Sequence, residues 1–272
     1  MTIITRFAPS PTGLLHPGHA YAARIAQELG ETLILRIEDI DPTRCKPEFT
    51  EAMIEDLTWL RIKWQVPIRI QSEDIDFHIH ALNKLKAMGL IYPCFCTRSD
   101  ITAAASAPHG PEGPVYGGTC KHLSEAEVAD KLATGLPFAQ RLHMDKATRM
   151  AGPLTWEDRD AGQQQATPEA FGDIVLARKE TPTSYHLAVT VDDARQGVDL
   201  VTRGEDLFTA THVQRLLQAL LDLPEPDYYH HPLVIDPTTG RRFAKRDKSI
   251  TLQALREGGK TPQDIWKMVG LN

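Results

Sequence analysis

Residues 3–19 read Ile-Ile-Thr-Arg-Phe-Ala-Pro-Ser-Pro-Thr-Gly-Leu-Leu-His-Pro-Gly-His. The first five, residues 3–7, form a short strand candidate. Residues 9–18 are dense in Pro and Gly and read as a loop. Residues 20–29 then read as a helix closed by Gly30, and the β-branched, apolar residues 32–37 read as a buried strand. Strand, helix and strand within about 40 residues make a βαβ unit, which implies a parallel sheet.

Further along, residues 47–60 read as a second helix. Pro47 sits at its start, and Phe49, Met53, Leu57 and Leu60 fall on one face. Residues 76–88 read as a third, with Gly89 as its C-cap. Composition changes at Tyr92. From 92 to about 180 the chain is rich in Gly, Pro, Ala and Cys with weak periodicity, and 103–114 reads as loop. Residues 184–191 read as a resumed strand and 207–223 as a strongly amphipathic helix. The last 50 residues carry a basic loop at 241–248 and two short helical stretches. The fold class is therefore α/β: a Rossmann-like parallel sheet split by an insertion. Residues 1–91 form the first half, 92–180 the insertion, 181–223 the second half and 224–272 a C-terminal segment.

Composition narrows the function. At 272 residues the chain fits about two domains, or one with an insertion. With 42% hydrophobic and 24% charged residues, wholesale disorder and coiled-coil architecture are excluded. No apolar run approaches the roughly 18 residues of a membrane span. The N-terminus has no basic segment followed by an apolar one, so no secretory signal is read. The net charge of −6 means that any nucleic acid must meet a local basic patch. Four cysteines are no disulfide framework. They fit a reducing cytosol, where closely spaced cysteines more often bind metal than pair as disulfides.

The strand-to-helix turn is where open α/β sheets bind ligands. Gly18 lets the backbone approach a nucleotide, and the helix N-terminus favours phosphate. His16 and His19 can donate hydrogen bonds to oxygens that gain charge as an α-phosphate is attacked. The plainer alternative is a metal pair or two solvated loop histidines. HxGH alone is a weak signal; preceded by RFAPSPTG at this spacing it is strong.

On these residues the chain resembles the class I glutamyl- and glutaminyl-tRNA synthetases. Leu35-Arg36-Ile37-Glu38-Asp39-Ile40-Asp41 matches their LRIEDTD-like strand and turn. Val191-Asp192-Asp193, Gln196-Gly197-Val198 and Val201-Thr202-Arg203-Gly204-Glu205-Asp206 match the segment that closes their amino-acid pocket. The resemblance covers nearly the whole chain and stops where those enzymes continue into an anticodon-binding domain. That absence, the CxC pattern and the DDARQGV segment resemble the glutamyl-Q tRNA(Asp) synthetases, which attach glutamate to the queuosine base of tRNA(Asp).

The resemblance places L-glutamate against Arg6, Phe7, Ala8, Pro9, Ser10, Glu38, Tyr185 and Arg203. Chemistry agrees: two carboxylates call for guanidinium forks, and an ammonium calls for a carboxylate such as Glu38. The plainer alternative is that Arg6, Glu38 and Arg203 are solvated surface charges. His186 stands where relatives commonly carry Asn.

The resemblance also implies ATP, bound at His16, Gly18 and His19 and by a KMSKS-type loop. Of two registers, Arg242-Phe243-Ala244-Lys245-Arg246 makes Lys245 the phosphate-binding lysine, and the other uses Lys248. His16, His19 and Lys245 are the expected catalytic residues, with Mg²⁺ accompanying ATP.

Cys94, Cys96 and Cys120 suggest a structural zinc site. The resemblance offers Tyr116 as fourth ligand, with His109 or His122 as physical alternatives. Three buried free thiols are the plainer reading. A relaxed P-loop match at residues 254–261 reads better as a turn between two helices. The expected function is ATP-dependent activation of glutamate and its transfer to tRNA(Asp), by a monomer without membrane contact in the cytoplasm. Alternatives are a minimal enzyme charging tRNA(Glu) and a non-catalytic paralogue binding glutamate or RNA.

Overall fold

The computed structural model describes residues 2–97, 99–100, 109–110, 113–178, 180–235, 240 and 250–271. The opening βαβ unit forms as the sequence reads. Strand β1 (Ile4–Phe7) leads through helix α1 (Pro17–Leu29) to β2 (Thr32–Ile37), and α2 (Pro47–Trp59) leads on to β3 (Gln65–Ile70). β1 and β2 pair in parallel, from Ile4 opposite Thr32 to Phe7 opposite Leu35. Residues of β2 alternate between two cores, as strand geometry requires. Leu33, Leu35 and Ile37 pack against α1 and α2, while Ile34 packs with Trp156, Val201 and Tyr228.

Helix α3 (Ile75–Ala87) runs to β4 (Ile91–Cys94). Then come short strands β5 (His109–Gly110) and β6 (Gly113–Pro114), helix α4 (Glu125–Ala133), β7 (Ala139–Leu142) and α5 (Met144–Ala151). β8 (Thr155–Asp158), β9 (Gly162–Gln165) and β10 (Val175–Ala177) follow. Helix α6 (Tyr185–Arg195), β11 (Leu200–Gly204), α7 (Ala210–Leu221), β12 (Asp227–His231), α8 (Leu252–Glu257) and α9 (Pro262–Met268) complete the described chain.

The main sheet has the order β3-β2-β1-β11-β12-β8-β9. Its pairs are parallel except β8 with β9. Strand order reverses between β1 and β11, so a crevice opens at their carboxyl ends.

Two sequence expectations change. Residues 184–191 are not a strand but lie largely in α6. Its residues from His186 to Asp193 are all buried. A helix enclosed on every side shows no amphipathic period, and its Val-Thr-Val run mimics a strand. Within residues 92–180, β4, β7 and β10 form their own antiparallel sheet, while β8 joins the main sheet beside β12. Within the expected loop 103–114, His109 pairs with Pro114 and Gly110 with Gly113. The P-loop decoy resolves as read: α8 ends before Gly258, and Thr261 caps α9 by accepting from the Asp264 N–H. No helix among the described residues is long and apolar enough to cross a membrane.

Candidate active site

The crevice between β1 and β11 gathers charge from four elements. Arg6 sits near the carboxyl end of β1, Glu38 follows β2, Arg203 lies in β11, and Tyr185 opens α6. Arg6, Glu38 and Arg203 are only 5–7% exposed, so they are not solvated surface charges.

A buried ion network orders them. Arg6 donates from Nε to Asp193 (3.2 Å) and from Nη1 to the Thr202 carbonyl (2.8 Å). Arg36 donates to Asp193 at 2.8 Å, to Gln196 at 2.9 Å and to Glu38 at 3.1 Å. Burial pushes the Asp193 carboxyl up, but Arg6 and Arg36 outweigh it and hold the group below its ordinary range. For Glu38 burial wins over Arg36 and Arg6, and its carboxyl is raised. Arg203 donates to His230 (3.0 Å), Gln214 (2.9 Å), Thr211 (2.6 Å) and, at 3.5 Å, to the Tyr185 hydroxyl. Burial raises the Tyr185 phenol.

Of these groups Glu38 and Tyr185 border an open cavity of about 780 Å³, lined also by Ser10, Arg141 and His186. The loop after β1 is tied to its rim: the Glu38 N–H donates to the Pro9 carbonyl and the Lys46 N–H to the Pro11 carbonyl, both at 3.0 Å. The Phe7 ring belongs to the core beneath α1 and is not among the residues that line this cavity.

His16 and His19 sit at the start of α1, where Pro17 is the first helical residue. Their ring centroids are 3.8 Å apart. His19 Nδ1 accepts the His16 backbone N–H at 3.1 Å. A neutral ring accepting at Nδ1 carries its proton on Nε2, so His19 can donate from there. Lys245, Lys248 and the rest of 241–249 lie outside the described residues.

Cys94, Cys96 and Cys120 bring their sulfurs within 4.8 Å of one another. Cys96 and Cys120 are 3.6 Å apart, and the Tyr116 hydroxyl is 3.6 Å from Cys96 Sγ. Thiolates about 2.3 Å from a tetrahedral zinc lie about 3.8 Å apart, so three sulfurs and a phenol oxygen fit such an ion. Burial pushes the Cys96 thiol up to about 11. For Cys120 burial acts the same way, but donation from the Phe95 N–H and neighbouring groups brings its thiol below normal. His122 is exposed and stands outside the cluster, and the His109 side chain lies outside the described residues. The Arg141 guanidinium stacks 4.0 Å over the Tyr116 ring.

Sequence reasoning gave no individual role to Arg36 or Asp193, although both lie in the quoted motifs, nor to Asp158, His230, Gln214 or Thr211, which carry no such signal.

The family model described as tRNA synthetases class I (E and Q), catalytic domain, matches residues 2–272. A glutamyl-Q tRNA(Asp) synthetase of Rhodobacter capsulatus is 45% identical over 99% of this chain and 100% of its own length. One from Nocardia farcinica is 39% identical over 96% and 81%. A glutamate–tRNA ligase of Aquifex aeolicus is 36% identical, and the match covers 98% of this chain but 56% of that protein. Among solved structures, the glutamate-tRNA synthetase of Elizabethkingia anophelis superposes with a TM-score of 0.73 at 24% identity. That match covers 91% of this chain and 53% of the other, a likeness of fold. The chain thus belongs to the class I glutamyl- and glutaminyl-tRNA synthetase family, on its glutamyl-Q tRNA(Asp) synthetase branch.

Proposed function

We propose that this chain activates L-glutamate with ATP and transfers it to the queuosine base in the anticodon of tRNA(Asp). One observation carries the reading most: Arg6, Glu38, Tyr185 and Arg203 converge, largely buried, at the switch point of the sheet. That set suits a small molecule with two carboxylates and an ammonium.

Glutamate lies between Arg6 and Arg203, with its ammonium on Glu38 and with Ser10 and the backbone of residues 7–9 lining the near side. In the first step a carboxylate oxygen attacks the α-phosphorus of ATP in line. The bond to the β-phosphate oxygen breaks, and pyrophosphate leaves. His16 and His19, with Gly18 at the helix start, hold the phosphates and donate to the oxygens that gain charge. Lys245 supplies a point charge from the basic loop. With ATP bound, Mg²⁺ would offset part of the phosphate charge. In the second step a hydroxyl of the queuosine cyclopentene ring attacks the glutamyl carbonyl, and AMP departs.

Cys94, Cys96, Cys120 and Tyr116 would hold a structural Zn²⁺, which pins the insertion and takes no part in the chemistry. The chain acts as a monomer in the cytoplasm.

Amino-acid-dependent ATP–pyrophosphate exchange tests this reading, with glutamate, glutamine and aspartate, without and with tRNA. We expect exchange with glutamate alone and no tRNA. Exchange only when tRNA(Glu) is added would transfer the reading to a minimal glutamyl-tRNA synthetase. Absence of exchange under every condition would point to a binding paralogue.

A further inference from the structure

Arg203 is oriented by a buried relay that begins in the insertion. Asp158, the last residue of β8, accepts at Oδ2 from His230 Nδ1 at 2.7 Å. His230 Nε2 in turn accepts from Arg203 Nε at 3.0 Å. The Asp158 and His230 side chains are 1% and 2% exposed. Trp156, Phe208 and Tyr228 wall the imidazole, with ring centroids 4.9–6.0 Å away.

The donors and acceptors leave one protonation pattern. A guanidinium has only N–H donors, so Nε2 must offer a lone pair. Nδ1 must then carry the proton and donate it to the carboxylate. Burial and the nearby Arg203 charge push the imidazole down to about 4, which keeps it neutral. Thr211 stands at the same junction, with its hydroxyl 3.3 Å from Nε2.

We propose that Asp158 and His230 are positioning residues of the amino-acid site: Asp158 fixes the Nδ1–H tautomer of His230, which aims the Arg203 guanidinium at the substrate. This rests on the reading of Arg203 as a glutamate-holding residue. Its consequence is that β8 has a second purpose besides extending the sheet.

Asp158 offers a sharp substitution. Its Oδ1 accepts from the Asp160 and Ala161 N–H groups at 3.0 and 2.9 Å. Its Oδ2 accepts from both the ring and the backbone N–H of His230. An asparagine cannot accept on both sides. If its oxygen serves the turn, its NH₂ faces His230 and favours the opposite tautomer. Nε2–H then opposes the Arg203 N–H, the kind of tautomer error that disables a buried Asp–His pair.

The test is glutamate-dependent ATP–pyrophosphate exchange on the full chain, with KM for glutamate, KM for ATP and kcat measured separately. Asp158→Asn and His230→Ala should raise KM for glutamate on the order of 10- to 100-fold, with KM for ATP within about twofold. His230→Gln, whose amide oxygen can accept from Arg203, should recover most of the loss. In ¹⁵N-histidine-labelled protein at pH 7, the His230 signals, identified by their loss in His230→Gln, should report a protonated Nδ1 and a bare Nε2.

Arg203→Lys is the control. If it leaves KM for glutamate unchanged, the reading of Arg203 fails. If it raises that KM while Asp158→Asn and His230→Ala both match the wild type, the relay fails alone. Should His230→Ala not fold, the tautomer of the unaltered protein decides: a proton on Nε2 overturns the proposal.

Discussion

Arg36 is where the acidic groups of the site converge. It is fully buried in β2 and reaches Asp193 and Glu38 directly, with Asp192 at 4.0 Å. Burial alone would weaken its charge, but the carboxylates around it more than restore it. Removing one partner of such a network is costlier than never having built it, because the remaining charges stay buried. Arg36→Met is therefore expected to cost about 3–5 kcal/mol in urea unfolding, with weaker glutamate binding as well. A loss below about 1 kcal/mol would show that Glu38 and Asp193 find other partners. The candidate site was legible where a residue stands at a strand end beside a recognisable motif, as Arg6, Glu38 and Arg203 do. Arg36 lies in a quoted motif, but its partners Asp193 and Gln196 are 157 and 160 positions away, a pairing that local sequence does not encode. Asp158 and His230 are 72 positions apart and meet only through sheet pairing, which local sequence does not encode.

Helix α4 has no buried residue, and the cluster around Cys94, Tyr116 and Cys120 is small. The described residues between β4 and β7 thus supply little apolar burial to offset ordering entropy. Metal ligation would take that role. Cys120→Ser is expected to bind less than one zinc per chain and to be cut by protease within residues 95–140, while the main sheet stays intact. Unchanged protection across that segment would argue that packing alone holds it. Elements with a clear signal were readable: the apolar run of β2 matches residue for residue, and the periodic α2 and α3 lie within one residue of expectation at each end. β3 and α6 were not. β3 is mostly exposed, with Val66 at 78%, and carried no strand signal. α6 is enclosed, and its β-branched run pointed the wrong way.

Across the whole molecule, the C-terminal helices are held to the N-terminal half by charge as well as packing. Arg256 of α8 contacts Glu55 at 2.6 Å and Asp56 at 3.4 Å, both on α2. Burial raises the Asp56 carboxyl from its ordinary 3.8 to about 6, with Arg256 only partly opposing it. The folded protein therefore binds a proton there more tightly than the unfolded chain. Stability from this group is present below about pH 4 and is lost as pH rises through about 6. Asp56→Asn removes that loss. It should stabilise the protein by about 1–2 kcal/mol at pH 8 and change little at pH 4, as thermal unfolding at the two pH values would record. Equal effects at both would assign the change to packing. A different consequence follows from the partner of β1. Thr5 lies opposite Leu200, and the Ile4 N–H is held by Asp199. On the ribosome, where chains emerge at about 5–20 residues per second, the first strand waits roughly 10–40 seconds for this neighbour. Until then Arg6 has neither Asp193 nor Thr202 to hold it. A nascent chain can form its βαβ unit early, but the crevice that gathers Arg6, Asp193 and Arg203 closes late, so a half-made protein lacks the proposed amino-acid site.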